Sequence, residues 1–200
     1  MKIDIAAMPV GGMPPGFTAG LTGQGEPVCW QVLSDDTAPG GKVIAETSRD
    51  TADYRFPICV LDDVTAKDVA VSVRFKAVAG EVDQAAGLLV RGQDQNNFYV
   101  ARANALEANV RLYKVTDGVR RQIAGRNIEV PPGAWQSLRL EVAGDTLTVA
   151  FNGERIIETR DATFPQAGKV GLWTKADSLT HFADLTIEPS PADVAGGRQA

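Results

Sequence analysis

Cysteine and histidine are nearly missing from this chain: Cys29, Cys59 and His181 are all there is among 200 residues. Two isolated cysteines and one histidine do not make a ligand set, which argues against a zinc-type metal centre. Each cysteine lies in an apolar, strand-like segment and reads as a small buried hydrophobe. The alternative is a disulfide between neighbouring strands, which would favour an oxidising compartment. A basic stripe is missing too. Lys and Arg number 20 against 25 Asp and Glu, a formal net charge of −5, and Arg120-Arg121 is only a pair beside a turn. Nucleic acid is therefore not an expected partner. No apolar run approaches the ~20 residues that span a bilayer. The opening M-K-I-D-I-A-A-M-P-V is too short and too acidic for a complete signal peptide. The expectation is a cytosolic chain, or one written without its leader. No amphipathic segment with helical period, no G-x-S-x-G elbow and no D-x-D-x-D-G loop occurs either.

What is present is alternation. Apolar residues make up 44% of the chain and charged ones 22%, enough for one sizeable core in a single domain. Val69, Val71, Val73 and Phe75 alternate with Ala70, Ser72, Arg74 and Lys76, the period of a half-buried strand. The same pattern holds for Ala86, Leu88 and Val90, for Val110 and Leu112, and for Leu138, Leu140 and Val142. Asn152-Gly153 and Asp117-Gly118 read as hairpin tips, and Ala143–Asp145 as a third tight reversal. Turns recur about every 8–12 residues between about a dozen short strands, which predicts an all-β sandwich or barrel. The core is expected over 17–188, with an extension at 1–16 and a flexible tail at 189–200.

The run W-Q-S-L-R-L-E-V-A-G-D-T-L-T-V-A-F-N-G-E-R (Trp135–Arg155) resembles the laminin-G and concanavalin A-like superfamily. So do A-G-K-V-G-L-W-T-K-A-D (Ala167–Asp177) and G-L-L-V-R-G-Q-D-Q-N-N-F-Y-V-A-R (Gly87–Arg102). Within it the chain looks most like bacterial domains named after a 3-keto-disaccharide hydrolase. That resemblance implies a jelly-roll β-sandwich of two antiparallel sheets, one concave, whose groove in relatives often binds glycans and in some cleaves them. It also implies a periplasmic or extracellular setting, and in relatives a structural calcium is common. Fold alone does not settle function.

The stretch G-E-V-D-Q-A-A-G (Gly80–Gly87) tests the enzymatic branch. The related glucanases carry E-x-D-x-x-E on one strand, and a retaining glycosidase needs two carboxyls about 5–5.5 Å apart. Here Ala86 stands where the last acid belongs, and Ala86 cannot protonate a leaving group. Glu81 and Asp83 are then expected to face solvent, or at most a cation. His181 shares the parity of Ala183, Leu185 and Ile187 and reads as a packed or rim residue. No catalytic residue is assigned.

A binding face is the stronger reading. If the apolar alternates face the core, Arg91, Arg111, Tyr113, Trp173 and Lys175 line the opposite face. Arg102 and Asn104 join them if Tyr99, Ala101 and Ala103 point inward. Rings covering apolar sugar faces, with guanidinium and amide groups for hydroxyls, suit a carbohydrate. The competing reading is that such residues pair across strands on any solvated sheet, with Trp173 simply in the core. Loop acids Asp35, Asp36, Asp62, Asp63, Asp94 and Asp184 are candidate calcium ligands, although Asp also favours turns for its own backbone bonds. The expected function is a non-catalytic carbohydrate- or ligand-binding module. The alternatives are a 3-keto-glycoside hydrolase acting in the same groove, and a structural or protein-interaction module, for which a flat or filled concave face is expected.

Overall fold

Each alternating run forms a strand. The computed structural model describes residues 1–190. In chain order the strands are β1 (Phe17–Gly23), β2 (Trp30–Ser34), β3 (Lys42–Glu46), β4 (Arg55–Leu61), β5 (Val69–Ala79), β6 (Ala85–Asp94) and β7 (Asn97–Asn104). They continue as β8 (Asn109–Thr116), β9 (Val119–Asn127), β10 (Trp135–Ala143), β11 (Thr146–Phe151), β12 (Glu154–Arg160), β13 (Lys169–Trp173) and β14 (Leu179–Pro189). The only helical pieces among the described residues are two single turns, Ile5–Ala7 and Pro39–Gly41, and no helix is long and apolar enough to cross a membrane.

The strands form two antiparallel sheets of seven. The first runs β1-β4-β13-β6-β7-β8-β9 and the second β12-β11-β10-β5-β14-β3-β2, an all-β jelly-roll sandwich as expected. At both hairpin tips the two central residues have positive φ: Asp117 50° and Gly118 79°, Asn152 50° and Gly153 82°. That backbone matches the right-handed twist of the flanking strands. Between the sheets lies one core, to which β5 sends Val71, Val73 and Phe75, β6 sends Ala86, Leu88 and Val90, and β10 sends Leu138, Leu140 and Val142. Cys59 faces this core, Cys29 is half-buried, and both are free thiols.

A second apolar cluster, including Phe56, Ile58, Leu89, Phe98, Val100 and Trp173, occupies the outer face of the first sheet. It is as dry as the core: Phe98, Val100 and Trp173 are fully buried. The sheet covers itself. The Thr22 hydroxyl on β1 donates to the Gln95 carbonyl at the β6–β7 tip, although β6 is the third neighbour of β1 across the sheet. On the other side, Arg120 of β9 lies 5.1 Å above the Phe56 ring of β4. Both hairpins therefore curl over the outer face, which becomes concave and is filled at its centre. This explains why β6 is buried at every position from Ala85 to Gly92, and β7 from Phe98 to Asn104.

Residues 1–16 are strapped down. The Met1 amino group donates to the Ile187 carbonyl (2.8 Å), Ile3 N–H to Leu185 (2.9 Å), and Ile5 and Met8 enter the core. At the other end Pro189 closes β14, and the expected flexible tail beyond Ser190 lies outside the described residues.

Candidate functional site

The concave face carries a polar constellation at one end, built from three loops. Asn104, the last residue of β7, organises the first. Its carbonyl oxygen accepts the N–H groups of Leu106 (3.0 Å) and Glu107 (3.1 Å), while its amide donates to Asp83 Oδ1 (2.8 Å). The second loop is the E-V-D stretch, wound around the Asp177 carboxylate. Asp177 accepts Glu81 N–H (2.7 Å), Val82 N–H (3.1 and 3.2 Å) and Asp83 N–H (3.1 Å), and these amides hold its pKa below the ordinary value despite burial. The third loop follows β13 and presents Lys175, whose ammonium bridges Asp83 (2.7 Å) and Asp53 (2.8 Å). Burial alone would lower the Lys175 pKa, but the two carboxylates raise it. The fully buried Arg55 ties this loop to its neighbours, donating to Ala176, Glu26 and Pro27 carbonyls and to the Ser48 hydroxyl.

Asp83 thus departs from the expectation of a solvent-facing acid. Glu81 is exposed, but Asp83 is 1% exposed and wholly engaged. A buried Asp83 is tolerable because Lys175 neutralises it and Asn104 satisfies its other oxygen.

Across the hairpin, Arg102 donates to Glu107 Oε2 (3.1 Å) and to Asn109 Oδ1. It is 1% exposed, and its Nε has no partner. Burial lowers the Arg102 pKa, which leaves the guanidinium charged. Tyr113 lies on the same face with two guanidinium groups over its ring, Arg120 at 4.2 Å and Arg102 at 5.6 Å. Arg111, paired across β7–β8 with Arg102, donates to Asn127 Oδ1 (2.8 Å). Trp173 lies over Gly87, which pairs with Arg102 on its other side, and stacks on Phe56 at 5.6 Å. A Cβ on Gly87 would stand 2.8 Å from the Trp173 ring, so the glycine is what lets the indole lie flat there. Trp173 Nε1 and Arg120 Nη1, like Arg102 Nε, are buried donors without an acceptor.

Six of the seven expected ligand residues therefore share one region: Arg102, Asn104, Arg111, Tyr113, Trp173 and Lys175. The condition set on Arg102 and Asn104 is met, since Tyr99, Ala101 and Ala103 point into the core. Trp173 is on the concave face, yet buried beneath its neighbours rather than offered as an open platform. Arg91 stands apart. A bulge gives it φ 49°, and its guanidinium clamps the Lys67 carbonyl (2.8 Å), the Phe164 carbonyl (2.8 Å) and Asp68 (3.1 Å). Sequence reasoning missed Asp53, Glu107, Asn109 and Arg120. Asn109 has the parity of Arg111 and Tyr113 and was open to discovery by alternation. Arg120 reaches the site only through the curl of β9.

His181 lies elsewhere, on the outer face of the second sheet, with Nδ1 2.7 Å from Asp35 Oδ2. It keeps the parity of Ala183, but a bulge at Asp184 (φ 51°) puts Leu185 and Ile187 on the opposite face. Asp35 also pairs with Lys76 (2.6 Å), and its carboxyl is held well below the usual range by the Lys76, Thr37 and His181 hydrogen bonds, against the opposing effect of burial. Of the other candidate calcium ligands, Asp62 accepts from Thr18 (2.5 Å) and Asp184 pairs with Lys2 (3.1 Å). Among the described residues no three His, Cys, Asp or Glu gather closely enough to hold a metal ion.

A cleft of about 230 Å³ opens on the same concave face beyond the Thr22–Gln95 contact, floored by Ile58, Val60 and Leu89 and edged by Asp94, Gln95 and Lys169.

Comparison with known proteins places this geometry. The described fold is similar to carbohydrate-binding module CBM66 from Bacillus subtilis (TM-score 0.68, 22% identity, covering 86% of this chain and 95% of that one). It is similar to a putative glycosyl hydrolase from Parabacteroides distasonis (TM-score 0.55, 16% identity, 80% and 90% covered). It also resembles the exoplasmic/lumenal domain of VIP36 in a Ca2+/Man3GlcNAc-bound form (TM-score 0.60, 11% identity, 97% and 94% covered). At these identities the likeness is one of fold. No curated protein matches the sequence. The model of the 3-keto-alpha-glucoside-1,2-lyase-like domain matches residues 30–188, which takes in thirteen of the fourteen strands; the chain belongs to that family.

Proposed function

We propose that this domain binds carbohydrate, without turnover, at the polar end of its concave face. One observation carries the reading: the Tyr113 ring lies between the Arg102 and Arg120 guanidinium groups, with the exposed carboxylates of Glu107 and Asp53 close by. The half-buried Arg120 can donate to sugar oxygens, and Glu107 and Asp53 accept hydroxyl protons in turn. The tested ligand classes are neutral and acidic glycans on an array, followed by calorimetry. Wild type is expected to bind, Tyr113→Ala and Arg120→Ala to lose about tenfold or more, and all three to melt cooperatively. A blank array with blank calorimetry overturns the reading.

The family match favours a second reading, lyase or hydrolase chemistry on 3-keto-glycosides at the same place. Its bases would be Glu107 and Asp53. Burial raises the Glu107 pKa, but Arg102 and Asn109 bring it below the ordinary value, and Lys175 lowers that of Asp53. Carboxylates so held are poor proton acceptors near neutrality, which favours binding over catalysis. Product release from a 3-keto-glucoside by wild type, abolished in Glu107→Gln, would reverse that preference.

A further inference from the structure

The rings at the polar end of the concave face are covered: Phe56 and Trp173 are buried, and Tyr113 is 8% exposed. Tyr54, 65% exposed, is the single exposed ring among the described residues. Exposure alone is ordinary for a surface side chain, but the place is not. Tyr54 immediately precedes β4 and stands two residues before Phe56, and the two rings meet edge to face with centroids 6.1 Å apart. Phe56 also carries the Arg120 guanidinium at 5.1 Å, and Arg120 lies 4.2 Å from the Tyr113 ring. Tyr54 is therefore the solvent-side member of a row of contacts that ends on Tyr113. Its neighbour Asp53 accepts from Lys175 (2.8 Å). The chain beneath the ring is fixed. The Tyr54 carbonyl accepts Gln24 N–H (2.8 Å), the Arg55 carbonyl accepts Ala176 N–H (2.9 Å), and the Arg55 side chain is fully buried.

We propose that Tyr54 is the stacking platform of the site, its ring covering the C–H face of one unit of a neutral glycan whose hydroxyls reach Asp53 and Arg120. The inference rests on the sugar-binding reading above. A tyrosine presents a large apolar face while its hydroxyl stays wet, and a ring carried on a fixed turn has little freedom left to lose on binding. The ligand is neutral because the charges around the ring balance. Lys175 has Asp53 and Asp83, Arg102 has Glu107, and Arg120 is near enough to Asp53 to lower its pKa. Three cations facing three carboxylates leave no surplus charge for an ionic sugar to answer.

The test is calorimetry on the full chain with cellotetraose, laminaritetraose, maltotetraose and, as the acidic comparator, trigalacturonate, at low and high salt. A neutral tetrasaccharide is expected to bind with an affinity that salt leaves unchanged. Tyr54→Ala should weaken it about tenfold or more, and Tyr54→Trp should keep it. Val10→Ala, exposed in the N-terminal segment, should have no effect, and all variants should melt with wild type. A second readout is chemical. Tyr99 and Tyr113 are buried, so tetranitromethane should nitrate Tyr54 alone, and a saturating concentration of the bound tetrasaccharide should slow that nitration. Unchanged affinity in Tyr54→Ala, or unprotected Tyr54 in the sugar-bound protein, overturns the platform while sugar binding stands. Tighter binding of trigalacturonate than of every neutral probe overturns the neutral assignment. If none of the four binds, the platform falls, and a blank glycan array takes the sugar-binding reading with it.

Discussion

Replacing Asp177 by Ala should unfold the E-V-D loop from beneath the candidate site. The Asp177 carboxylate is 3% exposed and accepts three consecutive main-chain N–H groups at 2.7–3.2 Å. A hydrogen bond to a charged group is worth ~1.5–3 kcal/mol. The Asp83 amide is buried and loses its bond outright, whereas those of Glu81 and Val82 are partly buried and regain some of theirs from water. Counting the first in full and the others at about half gives ~3–6 kcal/mol, or a fall in Tm of roughly 6–24 °C for a domain of this size. Asp177→Asn keeps one acceptor oxygen without the charge and should lose about half as much. The pH dependence follows from the lowered Asp177 pKa. A carboxyl whose folded value lies below its unfolded value of about 3.9 stabilises fully above that pH and loses the contribution as pH falls through the folded value. The gap between wild type and Asp177→Asn should therefore be widest near neutrality and close below about pH 4. Urea unfolding followed by tryptophan fluorescence, at several pH values, measures it. A loss under ~1 kcal/mol for Asp177→Ala, or a gap that does not change with pH, refutes the claim that this carboxylate organises the loop.

Asp83→Ala leaves Lys175, 8% exposed, with only Asp53, whose side chain is 69% exposed, and should cost about 3 kcal/mol. Asp53→Ala should cost under ~1 kcal/mol, and equal losses in thermal melts would count against the burial argument. Gly87→Ala puts a methyl 2.8 Å from the Trp173 ring and 3.2 Å from Val100, so ~1–3 kcal/mol and a shifted tryptophan emission are expected; unchanged emission would mean the indole does not lie there. Asp161 is brought to a pKa of about 2, its Thr163, Tyr99 and Lys114 hydrogen bonds outweighing burial. Its stabilisation is present above about pH 4 and disappears towards pH 2. Asp161→Asn should flatten the acid limb of the stability profile, and superimposable profiles would refute it.

The fold was legible because most of its strands have one wet face. In β10 and β11 buried and half-exposed positions alternate without a break, and the Asn-Gly and Asp-Gly tips impose the positive φ that a two-residue hairpin requires. Ala86 was read correctly as a core residue rather than a missing half of a catalytic pair. Alternation is silent where both faces are dry. Phe98 and Val100 looked like competitors of Tyr99 and Ala101 for the core because they are equally apolar, and nothing local says that a second cluster exists. That cluster depends on hairpins curling back over the sheet, a long-range event recorded only in contacts such as Thr22 with Gln95.

The same limit governs the site. Arg91 and Arg102 are both 1% exposed arginines on neighbouring strands, and by counting alternate positions both belong to the binding face. They part company at a single bulge. The left-handed backbone at Arg91 turns its side chain to three oxygen acceptors at 2.8–3.1 Å, all of them supplied by loops. Arg102, in unbroken register with Gly87 and Arg111, keeps its face and an unused donor. A buried arginine whose donors are met by protein carbonyls is a clamp; Arg102, with a donor unmet beside a tyrosine and an exposed glutamate, is the one assigned to the proposed binding face. Residue type and spacing are alike in the two cases, so the distinction rests on hydrogen-bond satisfaction. Replacing each in turn should separate them: Arg91→Met should chiefly lower stability, and Arg102→Met should lower glycan affinity by a larger factor than Arg91→Met does. Equal effects on binding would remove the basis for calling one a clamp and the other a binding group.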